Sequence, residues 1–126
     1  STLLASSAAS DVYKRQGLCC GEPNILGWDI LRNHTTAFVS CPDWVTARGM
    51  RTLGAPEKGD PRVISGESGA VTTGLVETLM LDPEYAELKE LIGLDKTSSV
   101  LCFSTEGDTD PDQYRRIVWE GEYPTC

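Results

Sequence analysis

The sequence predicts an α/β fold built on a parallel β-sheet. Along the 126-residue chain, segments with strand character alternate with segments of helical apolar spacing. Residues 100–104, "VLCFS", are led by apolar side chains, which is typical of a strand buried on both faces of a sheet. Only two or three strands can be identified, and a parallel sheet needs more neighbours than that. The sequence therefore predicts an incomplete sheet, as part of a larger domain.

The first elements follow a loop, "GLCCGEPN", at residues 17–24. Apolar residues recur with helical spacing from Ile25, and "AFVSC" (residues 37–41) is a short strand candidate. A helix then starts at Pro42, because proline is favoured at a helix start and Asp43 suits the first turn. Gly54 is predicted to end this helix.

A β-branched pair, Val63 and Ile64, is the next strand candidate, and it leads into the segment "SGESG" at residues 65–69. The segment "AVTTGLVETLML" after it is predicted to be helical. Its apolar side chains are expected on one face of that helix: Val71, Leu75 and Leu79.

Two more helices have recognisable starts. Asp82 is predicted to cap the first of them, with Pro83 at its first position and Gly93 at its end. After the strand candidate at residues 100–104, Asp110 and Pro111 form the same kind of start for a short last helix.

The net charge and the hydropathy of the chain exclude two classes of binding partner, nucleic acid and membranes. The net charge of −8 and the pI of about 4.5 argue against a surface for nucleic acid or anionic membrane, because such surfaces need clustered Lys and Arg. No apolar run approaches the roughly 18 residues that a membrane-spanning helix needs. We therefore expect neither nucleic acid nor a membrane as a partner.

The cysteine pattern gives little support for a metal site. The five cysteines (Cys19, Cys20, Cys41, Cys102 and Cys126) include no CxxC pair, and the chain has a single histidine. Reduced thiols in a cytosolic protein are the simplest interpretation. The alternative is a reversible disulfide between Cys19 or Cys20 and Cys41, which requires a Cα separation within about 6 Å.

The first 16 residues, "STLLASSAASDVYKRQ", are excluded from the fold prediction. They lack the charged n-region and the apolar core of a secretory signal. They resemble the translated adaptor junctions at the edges of proteins assembled from environmental sequence reads. We interpret residues 1–16 as a non-native, adaptor-derived tail and residues 17–126 as the native part.

Two segments follow predicted strands and could border a ligand site. They are "SGESG" (residues 65–69) and "STEGDTD" (residues 104–110), and each combines hydroxyl groups, at least one carboxylate and glycine. Ligands of open α/β sheets bind beyond the carboxyl ends of the strands, where both segments are predicted to lie. Neither segment is a phosphate-binding loop or a nucleophile elbow. The alternative is that both serve only as helix caps and turns.

The order of four motifs resembles the C-terminal part of the diaminopropionate ammonia-lyase family. The motifs are "CGEPN" (20–24), "FVSCPDWVTARGMRTL" (38–53), "DPRVISGESGAV" (60–71) and "STEGDTDPDQYRRIVWEG" (104–121). That family belongs to the pyridoxal-phosphate enzymes of fold type II. The resemblance implies that residues 17–126 are the C-terminal part of the large parallel-sheet domain of such an enzyme.

The resemblance also implies cofactor-binding residues. Gly21 matches a glycine whose backbone lies against the pyridoxal ring. Glu67 matches a glutamate that lines the cofactor pocket, and the glycines around it would let backbone come near the cofactor. Ser104 matches the hydroxyl residue at the pyridine nitrogen, and its neighbour Thr105 could share that task. A hydroxyl group leaves the ring a weaker electron sink than an aspartate would, which suits elimination chemistry.

The implied activity is a pyridoxal-phosphate-dependent α,β-elimination that converts 2,3-diaminopropionate to pyruvate and ammonia, in a homodimer. The Schiff-base lysine and the glycine-rich phosphate loop of the family lie further toward the N-terminus. The lysines of this chain match no such motif: Lys14, Lys58, Lys89 and Lys96. No catalytic residue is therefore assigned, and the chain alone is expected to be inactive.

Two alternatives stay open. One is another fold type II enzyme, such as a threonine or serine dehydratase, although these have different turns at both segments. The other is a small acidic binding module without a cofactor. That module would have a closed core within residues 17–126, and both segments would act only as helix caps.

Overall fold

The structure is a computed structural model in which residues 24–124 are described, and the chain divides into two units, Ser1–Ser40 and Cys41–Cys126. The described residues form five α-helices and one 3₁₀ helix. The α-helices are α1 (Ile25–His34), α2 (Asp43–Gly54), α3 (Glu67–Leu81), α4 (Ala86–Leu91) and α5 (Pro111–Val118), and the 3₁₀ helix is Pro83–Tyr85.

The described part of the first unit consists of α1 and the segment after it. Asn24 caps α1, because its side-chain oxygen accepts hydrogen bonds from the backbone N–H groups of Leu26 (2.9 Å) and Gly27 (3.4 Å). The rings of Trp28 and Phe38 lie 6.3 Å apart between centroids, which is within the range of aromatic pairs. No residue of α1 is buried, and Leu26 is 86% exposed.

The second unit is organised by a very close contact between α2 and α3. A Cβ atom at Gly49 of α2 would lie 2.1 Å from the carbonyl oxygen of Ala70, and one at Gly74 of α3 would lie 1.9 Å from that of Val45. Real Cβ atoms do not approach backbone so closely, so the two helices pack backbone against backbone. Only glycine fits at these two positions.

Helix α5 completes the core of this unit. Tyr114 and Ile117 of α5 are buried against Met50 of α2, and Ala47 and Ala70 belong to the same cluster. The phenol oxygen of Tyr114 is buried without a hydrogen-bond partner, next to the backbone of Gly54. The start of α5 agrees with the sequence prediction, since Asp110 accepts a hydrogen bond from the N–H of Gln113 (3.0 Å).

Two arginines of α2 fix the surrounding chain. Arg48 donates hydrogen bonds to Thr78 (3.0 Å) and to the carboxylate of Asp82 (2.7 Å), which holds the end of α3. Arg51 donates to the carbonyl oxygens of Ile117 (3.0 Å), Glu122 and Tyr123 (3.3 Å), which fixes the path of the chain after α5. Because the guanidinium group carries five donors, it can bind several carbonyls at once.

The predicted strands are not formed in residues 24–124, so the expected parallel sheet is not confirmed. Residues 37–41, 63–64 and 100–104 carry no regular secondary structure. A strand is held by hydrogen bonds to a neighbouring strand, and the described part of the chain supplies none beside these segments. The N–H of Val63 instead donates to the carbonyl of Leu53 in α2 (2.9 Å), and Leu101 and Phe103 are 78% and 69% exposed.

Two details of the helix predictions also differ from the structure. Of the predicted apolar face of α3, Leu79 is buried, but Val71 and Leu75 are only half-buried. The small residues Ala70, Gly74 and Thr78 are buried as well. The close contact with α2 leaves no room for larger side chains. Asp82 occupies the cap position before Pro83 but makes no capping hydrogen bond, because its carboxylate binds Arg48. Gly93, with φ of 71°, follows α4 as predicted.

None of the helices in residues 24–124 has both the length and the apolar character that crossing a membrane would require.

Replacing Gly49 or Gly74 by alanine should destabilise the second unit. The added methyl group would overlap backbone atoms of the opposite helix, and overpacking of this kind costs about 1–3 kcal/mol or more. Urea unfolding of the chain, followed by circular dichroism, measures the effect. Gly27→Ala is the matched control, because Gly27 also lies in a helix and a Cβ atom there would meet nothing within 4 Å. Equal unfolding midpoints for Gly49→Ala and Gly27→Ala would contradict the contact.

Candidate functional site

The segments SGESG and STEGDTD lie against each other in the second unit. The backbone N–H of Gly66 donates to the carbonyl oxygen of Glu106 (3.0 Å), which joins the two main chains directly. Side chains of both segments add further hydrogen bonds. The contact brings together residues about 40 positions apart along the chain.

A pair of serine hydroxyls lies at the centre of this contact. The Oγ atoms of Ser65 and Ser104 are 2.8 Å apart, which is the usual length of an O–H···O hydrogen bond. Ser65 is only 1% exposed, whereas Ser104 is exposed. The pair therefore has a buried member and a member that is open to solvent or to a ligand.

Glu106 fastens the STEGDTD segment to the start of α3. Its carboxylate accepts hydrogen bonds from the backbone N–H of Ser68 (2.9 Å) and from the hydroxyl of Ser68. The N-cap residue of α3 is Gly66, which has no side chain to offer. Glu106 thus supplies, from a distant part of the chain, the capping carboxylate that α3 lacks locally, and its charge is favourable at a helix N-terminus.

Gly66 and Gly69 make the close approach of the two segments possible. A Cβ atom at Gly66 would lie 2.5 Å from the carbonyl oxygen of Gly107, and one at Gly69 would lie 2.5 Å from Oγ of Ser65. The family resemblance implied that the glycines beside Glu67 let backbone come near a cofactor. In the structure they accommodate the second segment of the protein itself.

The predicted site residues are placed as follows. Glu67 is the first residue of α3 and is half-buried, between two residues that contact the STEGDTD segment. Ser104 and Thr105 are exposed, and Oγ1 of Thr105 lies 3.4 Å from Oγ of Ser68. Gly21 lies outside the described residues. Glu67, Ser104 and Thr105 are therefore in one region of the second unit, and their roles toward a cofactor stay predictions.

Sequence reasoning missed three residues that hold this region together: Ser65, Ser68 and Glu106. All three lie inside the two segments that were singled out, so the region itself was found. The available signal was the repeated pairing of serine with a carboxylate in both segments. That pattern does not indicate which serine is buried, because burial here depends on contacts between distant parts of the chain.

The described residues hold no group of three or more His, Cys, Asp or Glu side chains that could bind a metal ion. Cys41 and Cys102 are free thiols, and burial raises the pKa of the Cys41 thiol above its ordinary value. Cys19 and Cys20, the two candidate disulfide partners of Cys41, lie outside the described residues.

The binding-module alternative receives no support from the second unit. It requires a closed core and segments that act only as helix caps. Apolar residues of the predicted strands are exposed instead, with Val100 at 49% and Leu101 at 78%. The two segments also bind each other through the Ser65–Ser104 pair, which caps no helix.

Comparison with known proteins identifies the family. No protein-family model matches the chain. Diaminopropionate ammonia-lyase of Escherichia coli (strain K12) is 55% identical to this chain over 107 residues, which are 85% of the chain. This identity, over most of the chain, confirms the resemblance drawn from the four motifs. The chain belongs to the diaminopropionate ammonia-lyase family. It spans 27% of the length of that relative.

Solved structures of the same enzyme are similar to this chain. The Escherichia coli enzyme in complex with D-serine has a TM-score of 0.82 and 54% identity, and the match covers 87% of this chain and 28% of that one. Its complex with an aminoacrylate-PLP azomethine reaction intermediate has a TM-score of 0.80 and 53% identity, covering 87% of this chain and 29% of that one. Pyridoxal phosphate is accordingly the cofactor of the family.

Replacing Glu106 by alanine should release the STEGDTD segment from α3. The backbone N–H of Ser68 would lose its acceptor, and we expect its hydrogen exchange to accelerate about fivefold, as for a hydrogen bond worth about 1 kcal/mol. Hydrogen exchange followed by NMR or mass spectrometry measures this rate. Asp108→Ala is the control, since Asp108 is an exposed acidic residue of the same segment. An unchanged rate in Glu106→Ala would show that the carboxylate does not hold the helix end.

Proposed function

We propose that this chain is the C-terminal part of a pyridoxal-phosphate-dependent lyase that converts 2,3-diaminopropionate to pyruvate and ammonia. The observation that carries the proposal is the contact between SGESG and STEGDTD, which places Glu67, Ser104 and Thr105 in one region. The high identity to diaminopropionate ammonia-lyase over 85% of the chain supports the same activity. The activity belongs to the full-length protein, of which the chain is a fraction.

The residues of this region fit a pyridoxal ring nitrogen. A ring nitrogen needs one hydrogen-bonding group, and Ser104 is an exposed residue whose hydroxyl pairs with that of the buried Ser65. When bound, the cofactor supplies an electron sink for elimination at the substrate. A serine hydroxyl cannot hold the ring nitrogen protonated as a carboxylate would, so Ser104 keeps that sink weak. Thr105 is the neighbouring hydroxyl and Glu67 lines the pocket in this proposal.

The start of α3 does not suit the phosphate group of the cofactor. Helix N-termini commonly bind phosphate through free backbone N–H groups. Here the carboxylate of Glu106 already accepts a hydrogen bond from the N–H of Ser68, and its negative charge would repel a phosphate. We therefore assign the phosphate to a loop in the remaining part of the full-length protein. This assignment agrees with a chain that contributes to the ring side of the cofactor site.

The exposed apolar segments support a sheet in the full-length protein. Residues 63–64 and 100–104 lead into SGESG and STEGDTD, and their apolar side chains are exposed in the chain alone. We propose that they become strands of a parallel sheet when the rest of the domain supplies neighbouring strands. The homodimer, the cytoplasmic location and the non-native character of residues 1–16 also stay proposals.

The chain alone is expected to have no lyase activity, because none of its lysines matches the Schiff-base lysine of the family. Lys58 and Lys96 are exposed in loops, and Lys89 lies on α4. Incubation with pyridoxal phosphate, reduction with borohydride and mass-spectrometric mapping should give only scattered substoichiometric labels. A stoichiometric adduct at one lysine, together with turnover, would contradict the proposal.

A chimera tests the activity directly. We expect that this chain, inserted in place of the matching section of the Escherichia coli enzyme, restores a protein that releases pyruvate from 2,3-diaminopropionate. Ser104→Ala in the chimera should lower the turnover number by roughly 10- to 100-fold, as expected for loss of a group that binds the reacting cofactor. Ser98→Ala is the control, because Ser98 is an exposed serine in a surface turn with Asp95.

Three results would count against the proposal. A folded chimera that releases no pyruvate would reject the lyase activity. Preferred turnover of serine or threonine would support the dehydratase alternative instead. Equal activity of Ser104→Ala and Ser98→Ala would remove Ser104 from the cofactor site.

A further inference from the structure

We propose that Ser65 is a positioning residue that orients the hydroxyl group of Ser104 toward the ring nitrogen of the cofactor. This inference rests on the proposed function and deepens it. It concerns a buried side chain that would not touch the cofactor itself. The role would be exerted through one hydrogen bond, between the Oγ atoms of Ser65 and Ser104 (2.8 Å).

The surroundings of Ser65 leave its hydroxyl few partners. The residue is 1% exposed, so bulk water does not compete for its hydrogen bonds. Within residues 24–124, its other polar neighbour in hydrogen-bonding range is the carbonyl oxygen of Gly66, at 3.3 Å. That distance is long for a hydroxyl donor, whereas 2.8 Å to Ser104 is the usual length. The geometry favours Ser104 as the partner to which Ser65 donates.

The number of hydroxyl protons determines whether Ser104 can donate a hydrogen bond outside the pair. Each serine has one hydroxyl proton. If Ser65 donates to Ser104, the proton of Ser104 is free for an acceptor outside the pair, because the carbonyl of Glu106 is 3.4 Å away. The result is a chain of two hydrogen bonds, from Ser65 to Ser104 and from Ser104 to an unprotonated ring nitrogen.

The reverse direction is less favourable. Ser104 would donate to Ser65, and Ser65 would donate over the long distance of 3.3 Å to the carbonyl of Gly66. Ser104 would then present only lone pairs, and these suit a protonated nitrogen. Successive hydrogen bonds in one direction also strengthen each other. Ser65 would therefore make Ser104 a better donor and help keep the nitrogen unprotonated.

Gly69 gives independent evidence that the first turn of α3 accommodates the two serine hydroxyls. A Cβ atom at this position would lie 2.5 Å from Oγ of Ser65 and 2.8 Å from Oγ of Ser104. The side chain of any other residue at position 69 would displace at least one of the two hydroxyls. The absence of a side chain at Gly69 therefore makes room for the two hydroxyls as well as for the main chain of the STEGDTD segment.

The test uses the chimeric holoenzyme loaded with pyridoxal phosphate that is ¹⁵N-labelled at the ring nitrogen. The ¹⁵N chemical shift reports the hydrogen bond to that nitrogen directly, and equilibrium titration gives the dissociation constant of the cofactor. In Ser65→Ala we expect the shift to move part of the way toward the value in Ser104→Ala. The dissociation constant should rise roughly three- to tenfold, as for one weakened hydrogen bond.

A second variant and a matched control complete the design. Ser65→Cys keeps a side chain of similar size with a weak donor, so it should shift the ¹⁵N signal in the same direction even if Ser65→Ala fails to fold. Ser98→Ala removes a serine hydroxyl that bonds to Asp95 in a surface turn, and it should leave the signal unchanged.

The outcomes separate this inference from the proposed function. A signal that moves in Ser104→Ala but in neither Ser65 variant overturns the role of Ser65 and leaves the lyase proposal standing. Equal movement in the Ser65 variants and in Ser98→Ala shows a general loosening and also overturns it. A folded parent chimera that binds no pyridoxal phosphate overturns both.

Discussion

The second unit depends on the backbone contact between α2 and α3. Gly49 and Gly74 allow the two helices to approach until the backbone of each lies against the other. This contact sets the position and direction of α3, and the SGESG segment lies at the N-terminus of that helix. The positions of Ser65 and Glu67 therefore depend on the absence of side chains at Gly49 and Gly74, which lie elsewhere along the two helices.

A second layer of interactions then attaches STEGDTD to this helix end. Gly66 binds the main chain of Glu106, Ser68 binds its carboxylate, and Ser65 binds Ser104. Each of these bonds joins a residue at the start of α3 to a residue of the other segment. The arrangement explains why glycine, serine and glutamate are combined in both segments. Small residues permit the approach, and the polar groups that become buried are paired by it.

The sequence was informative wherever a local signal determines the structure. The start of α5 follows from Asp110 and Pro111, whose cap and fixed backbone angle act within one turn. The end of α4 likewise follows from Gly93. The two segments of the candidate site were found from their composition and from their position after apolar runs.

What could not be predicted depends on contacts between distant residues. The apolar run at residues 100–104 has the composition of a buried strand, but a strand exists only beside another strand. The buried face of α3 could not be read from Val71 and Leu75, because α2 approaches on the side of the small residues. Asp82 has the signature of a cap, yet Arg48 binds its carboxylate. The burial of Ser65 could not be predicted either, because the residue contacts Ser104, which is distant in the sequence.

Arg51 has a consequence for how this part of the family can diverge. Its guanidinium group binds three main-chain oxygens, those of Ile117, Glu122 and Tyr123. Every amino acid has a main-chain carbonyl oxygen, so these hydrogen bonds do not depend on the side chains of the three residues. The three hydrogen bonds of Arg51 would therefore survive side-chain replacement in that stretch, whereas Ile117 is held in addition by its burial in the core.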